Sequence, residues 1–388
     1  MIKLLPAGLG ALVVLTALAA EAPRAHALDD LSHHVFVPNR ASADVAVIDT
    51  RSDTVVAHVP VGEVPHQVAV SQRLGKMAVT NTADDTLSLI DLATLEVTAT
   101  VHLGHEPEHM EIDPSGAVVA VGNIGEGTVS LVSLVEEREL ARVDGLHEPH
   151  NMTFDPSGQR LYVGNLGASF VSVIDVAEAR VAGEIAVGPD RALAARGEDD
   201  TAYQGIINVT ATPDGRLGFA AYGEGDGMAV IDLETGGTLK TLTLGDTPWR
   251  AFTTTDGRYM IVPNNGDETV SIVSTETLTE VARLPGAADM TGVNAGLLDT
   301  RAFVISRGDD KALVIDLVTM RLAGEIALPG TPETGVVTPD GTKLYVALSD
   351  AGTVAVIDVR AQAVTTTIEG VGAEPWGAHM AGAVNYCH

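Results

Sequence analysis

Apolar and polar residues alternate with period two in a six-residue stretch that returns eight times along the chain. The copies are Asp44–Asp49 (DVAVID), Thr86–Asp91 (TLSLID), Thr128–Ser133 (TVSLVS), Phe170–Asp175 (FVSVID), Gly227–Asp232 (GMAVID), Thr269–Ser274 (TVSIVS), Lys311–Asp316 (KALVID) and Thr353–Asp358 (TVAVID). Their first residues stand 42, 42, 42, 57, 42, 42 and 42 positions apart. A fixed period of this size, with strand-like alternation inside each copy, is the mark of a propeller blade or a solenoid coil.

One unit, residues 104–145, reads as four short strands: A at about 109–112, B at 118–121 with Asn123 at its end, C at 128–133 and D at about 139–143. The turn Asp113-Pro114-Ser115-Gly116 after strand A recurs at Asp155-Pro156-Ser157-Gly158, Thr212-Pro213-Asp214-Gly215, Thr255-Asp256-Gly257 and Thr338-Pro339-Asp340-Gly341. Glycine in its last place supplies a positive φ cheaply, and proline fixes the approach. The first copy lacks strand A and begins in strand B at 35–37, whereas the chain ends with an A-type segment at 375–382. Pairing that last A with the first B makes a composite blade and leaves no open sheet edge. The predicted fold is all-β: one eight-bladed β-propeller of four-stranded blades over residues 28–388, closed by its N- and C-terminal strands. Seven blades is the alternative, if one copy lies outside the ring. The single spacing of 57 exceeds the others by 15 residues and marks an insertion near 189–203, between a D strand and the next A. Such a connection is either functional or a tolerated surface loop.

The first 27 residues carry Lys3, an apolar run at 4–20 and the small-x-small site Ala25-His26-Ala27, a secretory signal expected to be cleaved before Leu28. The apolar run is short for a bilayer span. The mature chain is therefore expected to be periplasmic or secreted, monomeric and without a membrane span. Lys and Arg number 23 against 52 Asp and Glu, a formal charge of −29. That field repels phosphate backbones and anionic lipid, which argues against nucleic acid and membrane surfaces and leaves metal ions or a periplasmic protein partner. Cys387 is the only cysteine, so closure rests on strand pairing, and iron–sulfur clusters and covalent c-type haem are excluded. No G-x-S-x-G elbow, P-loop or dinucleotide fingerprint is present.

In a propeller the D-to-A and B-to-C connections open on one face, around the mouth of the central channel. On that face lie the starts of strand A: Pro65-His66, His105-Glu106-Pro107-Glu108-His109, His147-Glu148-Pro149-His150, Pro248-Trp249-Arg250, Asp289-Met290, Pro332-Glu333 and Pro375-Trp376, with His379 further in. The B-strand ends Asn39, Asn81, Asn123, Asn165, Asn264 and Arg307 share it. Six of the 12 histidines fall in these segments. Imidazole is the commonest protein ligand for copper, zinc and iron, and short loops aimed at one axis bring several rings together. The candidate ligands are His66, His109, His150 and His379, with His105 and His147 further out as orienting or gating residues. Glu106, Glu108, Glu111 and Glu148 are candidate ligands or acceptors for the rings. Trp249, Arg250 and Asn151 are candidate contacts to a cofactor. Copper is the favoured metal and a haem-type cofactor the alternative. Because side chains alternate along a strand, and His109 stands two places after its proline where His66 and His150 stand one, one of these rings is expected to point into an inter-blade layer. The competing reading is that His, Asn, Gln or Arg at this repeated place caps the inner strand, and that duplication alone made the cluster. On the other face, Cys387 and His388 meet His33 and His34, either as a tetrahedral site or as frayed ends.

The segments 156–165 (PSGQRLYVGN), 339–348 (PDGTKLYVAL) and 374–377 (EPWG), with the TVSLVS and TVAVID strands, resemble the YVTN-family β-propeller repeat over essentially the whole mature chain. The resemblance implies the fold; its members include surface proteins, binding proteins and enzymes. Eight blades and export are similar to the haem-binding domain of periplasmic nitrite reductases and its biosynthetic relatives, where one axial histidine holds a non-covalent haem. Histidine-rich strand starts are similar to the propeller of nitrous oxide reductase, where histidines from several blades hold a copper cluster. No residue is carried over from either. Two tryptophans, Trp249 and Trp376, are too few for the docking motifs of quinoprotein dehydrogenase propellers. Two functions follow: an exported propeller whose histidine-lined face binds a metal or metallocofactor, with a redox link open, or a non-catalytic interaction scaffold that grips a partner with its D-to-A loops.

Overall fold

The computed structural model describes residue 28, residues 30–187 and residues 205–381. The leader, the insertion near 189–203 and the Cys387–His388 pair of the proposed tail site lie outside the described residues.

Alternating strands pair into eight four-stranded antiparallel sheets, each running A-B-C-D outward from the axis. Numbered by their A strands, blades 1 to 8 begin at Pro65–Ser71, Pro107–Ile112, Pro149–Phe154, Thr210–Ala211, Phe252–Thr253, Met290–Gly296, Pro332–Val337 and His379–Met380. The middle strands read as near-continuous apolar runs because both faces of every blade are covered by a neighbour. In blade 8, Val35, Val37, Ala46 and Ile48 pack on Val336, Tyr345, Val354 and Val356 of blade 7. The alternate residues Phe36, Val45 and Val47 pack on Val68, Met77, Val79 and Ile90 of blade 1. Burial fades outward, and the D strand Thr279–Pro285 alternates exposed and half-buried positions along its length.

The asparagines that end the B strands are structural pins. Asn81 Nδ2 donates to Thr86 Oγ1 and Ser88 Oγ, each at 2.9 Å, and its Oδ1 accepts from the Gly62 amide at 3.1 Å. Asn123 and Asn264 repeat the same pair of bonds in their own blades. Glycine is required opposite them, because a Cβ on Gly62 would come within 2.6 Å of Asn81 Cγ. Blade 6 departs from the glycine-ended A-to-B turn: Leu297, Leu298 and Asp299 are all left-handed, with φ of 51°, 56° and 54°. The Asp299 carboxylate anchors that turn by accepting from the amides of Thr255 and Asp256 in the next turn, both at 3.0 Å.

The ring closes with eight blades and not seven. Val35 pairs with Met380 and Phe36 with His379, and Asn39 bridges Pro375. Three further backbone bonds extend the clasp: Trp376 N to Pro38 O at 2.9 Å, Arg40 N to Glu374 O at 3.0 Å and Ala41 N to Ala373 O at 3.1 Å. Met380 is fully buried in the layer between blades 7 and 8. Met380→Ala is expected to cost about 2–5 kcal/mol in urea unfolding, against about 0.5 kcal/mol or less for Val318→Ala at an exposed site. Equal unfolding midpoints for the two variants would refute a stabilising role for the clasp.

Candidate metal centre at the channel mouth

The side chains of the mouth are aimed by a repeated irregularity in strand A. Pro65, Pro107 and Pro149 pair with Asn81, Asn123 and Asn165, but pairing resumes only at Val68↔Val79, Met110↔Val121 and Met152↔Val163. Two residues on strand A thus oppose one on strand B, a β-bulge that re-aims side chains. The bulged pairs are His66-Gln67, Glu108-His109 and His150-Asn151. Thr80, opposite the first bulge, locks it to the next blade: its Oγ1 accepts from Gln67 N at 3.1 Å and donates to the Glu108 carbonyl at 2.8 Å. Since Pro375 bridges Asn39 in blade 8, Trp376, His66, Glu108 and His150 occupy one equivalent place in four successive blades. His109 takes the following place, and the bulge still brings its ring into the row.

The result is a file of rings around the mouth. The His66 and His109 centroids lie 5.0 Å apart and those of His109 and His150 3.7 Å apart. Trp376 stands edge-on to His66 at 6.0 Å, and its indole Nε1–H donates to His66 Nε2 at 3.3 Å. The Arg40 guanidinium lies over that indole at 4.1 Å. His66, His109 and His150 are all buried. Glu108 Oε2 lies 3.8 Å from His109 Nε2. One donor atom from each of His66, Glu108 and His109 lies within 4.8 Å of the others, and among the described residues this is the one group of three ligating side chains that converges so closely. Donors at about 2.1 Å from a shared ion stand roughly 3–4 Å apart, so a contraction of about 1 Å would complete the set.

The remaining candidates have other surroundings. His150 Nδ1 faces the Ile207 carbonyl at 3.2 Å and the Asn151 amide nitrogen at 3.1 Å, so Asn151 helps orient the ring. His105 is exposed and meets Asp85 at 3.1 Å, away from the file. His147 packs edge-on against Phe170 at 5.6 Å. Trp249 is buried, with its backbone N–H bonded to the Pro263 carbonyl at 2.8 Å, and Arg250 lies over Phe252 at 5.3 Å. His379 stands three residues past Trp376, inside the closing strand, with neither ring nitrogen hydrogen-bonded among the described residues. Burial pulls its pKa down from 6.5 to about 4, so the ring is neutral at pH 7. Beneath the file the channel holds a cavity of about 390 Å³, lined among others by Gln67, Glu111, Asn151, Asn208 and Arg250. Glu111 keeps contact with the lumen but is otherwise surrounded by protein, and desolvation raises its pKa to about 7 while the Arg250 charge opposes that shift.

Two members of the arrangement escaped sequence reasoning: Glu108 as the true equivalent of His66 and His150, and Trp376 as a donor to His66. Counting the 42-residue period from the prolines, through positions 66, 108 and 150, would have found the first.

A profile for the YNCE-like beta-propeller matches residues 68–383. The chain belongs to that family. No curated protein matches it. Among solved structures, the dihydro-heme d1 dehydrogenase NirN in complex with DHE superposes with a TM-score of 0.73 at 18% identity, covering 95% of this chain and 79% of that one. Kuenenia stuttgartiensis hydrazine synthase gives 0.58 at 20% identity, and a functionally unknown protein from Desulfotomaculum acetoxidans 0.55 at 14%; each covers 76% of this chain and 95% of the other. At these identities the likeness carries the propeller fold.

The depressed pKa of His379 has a defined sign. Between pH 6.5 and about 4 the unfolded chain binds a proton that the folded chain refuses, so stability falls as pH drops through that window and is unaffected above it. The loss approaches about 3 kcal/mol at the acid end. His379→Leu is expected to lose correspondingly less stability than the parent between pH 7 and pH 4.5, read from urea midpoints. Parallel pH profiles for parent and variant would refute it.

Proposed function

We propose that this protein is an exported metal-binding propeller that holds a transition-metal ion at the channel mouth through His66, His109 and Glu108. The convergence of those three donors within 4.8 Å supports the reading most directly. Two imidazoles and a carboxylate suit zinc, iron(II) or copper(II), and the absence of a thiolate or thioether from the set disfavours copper(I). The Asn151–His150 pair stands against the His109 ring and limits its rotation. The formal charge of −29 favours cations over anions as ligands of the protein. Export rests on the leader-like residues 1–27.

A haem-type cofactor is the second reading, favoured by the NirN likeness over 95% of the chain. The bare ion is preferred because His66, Glu108 and His109 each bring a donor atom to one place, whereas a haem needs a single axial ring.

Zinc and copper(II) binding to the full mature chain, followed by calorimetry, tests the proposal. His66→Ala, His109→Ala and Glu108→Gln should each weaken binding by about ten-fold or more, as expected for loss of a ligand or its partner, while His105→Ala and His147→Ala should change it less than two-fold. Affinity should fall as pH drops through the range in which free imidazole protonates, about 6.5, because a protonated ring cannot ligate. Equal small losses everywhere would return these residues to strand capping. Tight, stoichiometric haem uptake with a sharp visible band, lost in His109→Ala, would favour the second reading.

A further inference from the structure

The indole of Trp376 touches the metal centre through a hydrogen bond that an ion must break. We infer that Trp376 is a metal-displaced cap: the ion and the indole N–H compete for the single lone pair of the His66 ring. This rests on the metal reading of His66, Glu108 and His109.

A neutral imidazole carries one N–H and one nitrogen with an available lone pair, and an indole N–H can only donate. Trp376 Nε1–H points at His66 Nε2 at 3.3 Å, so the lone pair sits on Nε2 and the ring proton on Nδ1. An ion that binds Nε2 takes the lone pair directly. An ion that binds Nδ1 moves the remaining proton to Nε2 and sets two N–H donors against each other. Both routes end the Trp376–His66 bond.

The surroundings decide which part moves. The Trp376 backbone is fixed in the ring closure by its bond to Pro38 O at 2.9 Å. Its chain neighbours Pro375 and Gly377 are buried. Outward, the side chain is only half-buried, and its neighbours Ala373 and Glu374 are exposed. The Arg40 guanidinium lies over the indole, with its Nε 4.0 Å from the carboxylate of the exposed Glu374. The indole therefore swings toward solvent when the ion binds, while the clasp backbone stays in place. Trp376 is a positioning residue: in the place where blades 1, 2 and 3 offer His66, Glu108 and His150, blade 8 offers a group with no lone pair, which ends the row of ligands and lowers metal affinity.

Zinc, a closed-shell ion, is the probe, added to the full mature chain. Trp249 and Trp376 are the only tryptophans, so Trp249→Phe leaves Trp376 as the sole indole, excited selectively at wavelengths beyond tyrosine absorption. Its emission is expected to shift to the red with one equivalent of zinc, and not to shift when His66→Ala is added. In the otherwise unchanged chain, Trp376→Phe keeps an aromatic ring but removes the donor, and is expected to bind zinc roughly five-fold more tightly, the worth of one neutral hydrogen bond. If zinc binds in a His66-dependent manner but Trp376 emission is unchanged, or if Trp376→Phe binds no more tightly than the parent, the cap is overturned and the metal centre stands. If no variant and no parent binds zinc, both are overturned.

Discussion

The strand His379–Met380 is only two residues long, yet the ring and its mouth both depend on where it pairs. By taking the place beside His34–Asn39 it joins the two ends of the described chain in one blade and completes the eighth four-stranded sheet. The same pairing seats Trp376 against His66, residues 310 positions apart, and brings Arg40 over the indole. One wall of the proposed metal centre therefore exists only because the ring is closed. The energy of closure comes chiefly from side chains such as Met380, buried between blades, with the short backbone ladder supplying register.

In the blades that form the ring file, position is set by local devices. An asparagine at the end of strand B and a glycine in the adjoining D-to-A loop occupy one small space between them, which fixes the loop's path. A bulge at the start of strand A then turns two consecutive residues toward the mouth. Because the devices repeat, changing a single residue type at the bulge changes the chemistry of the mouth without touching the scaffold.

The equivalent place in blade 7 illustrates this. Glu333 is buried there, and desolvation raises its pKa, but Arg307 and Ser349 both bond its carboxylate. Arg307 is in turn held by Asp289 at 2.7 Å. That sector of the mouth is closed by its own ion pairs. In the sector of blades 8, 1, 2 and 3 the same places carry three rings and one carboxylate, and donor atoms of His66, Glu108 and the adjoining His109 converge there, in a protein whose overall charge favours cations. The mouth is thus chemically lopsided on a nearly symmetric frame.

The sequence by itself determined the eight-bladed ring, its composite blade and the crowding of histidines at strand starts. Each of these follows from spacing along the chain: a period of 42, a missing first strand and a spare last one. Strand alternation, however, predicts that His109 faces away from His66 and His150, and the bulge cancels that prediction. A bulge is a slip in hydrogen-bond register between two strands, and nothing in the identity of Glu108 or His109 announces it. The contact of Trp376 with His66 likewise came only with the tertiary structure. The last copy starts its inner strand at a bridge from Pro375 to Asn39, a contact between opposite ends of the chain that no local pattern encodes. Local periodicity sets which residues lie near the mouth; long-range pairing decides which atoms meet there.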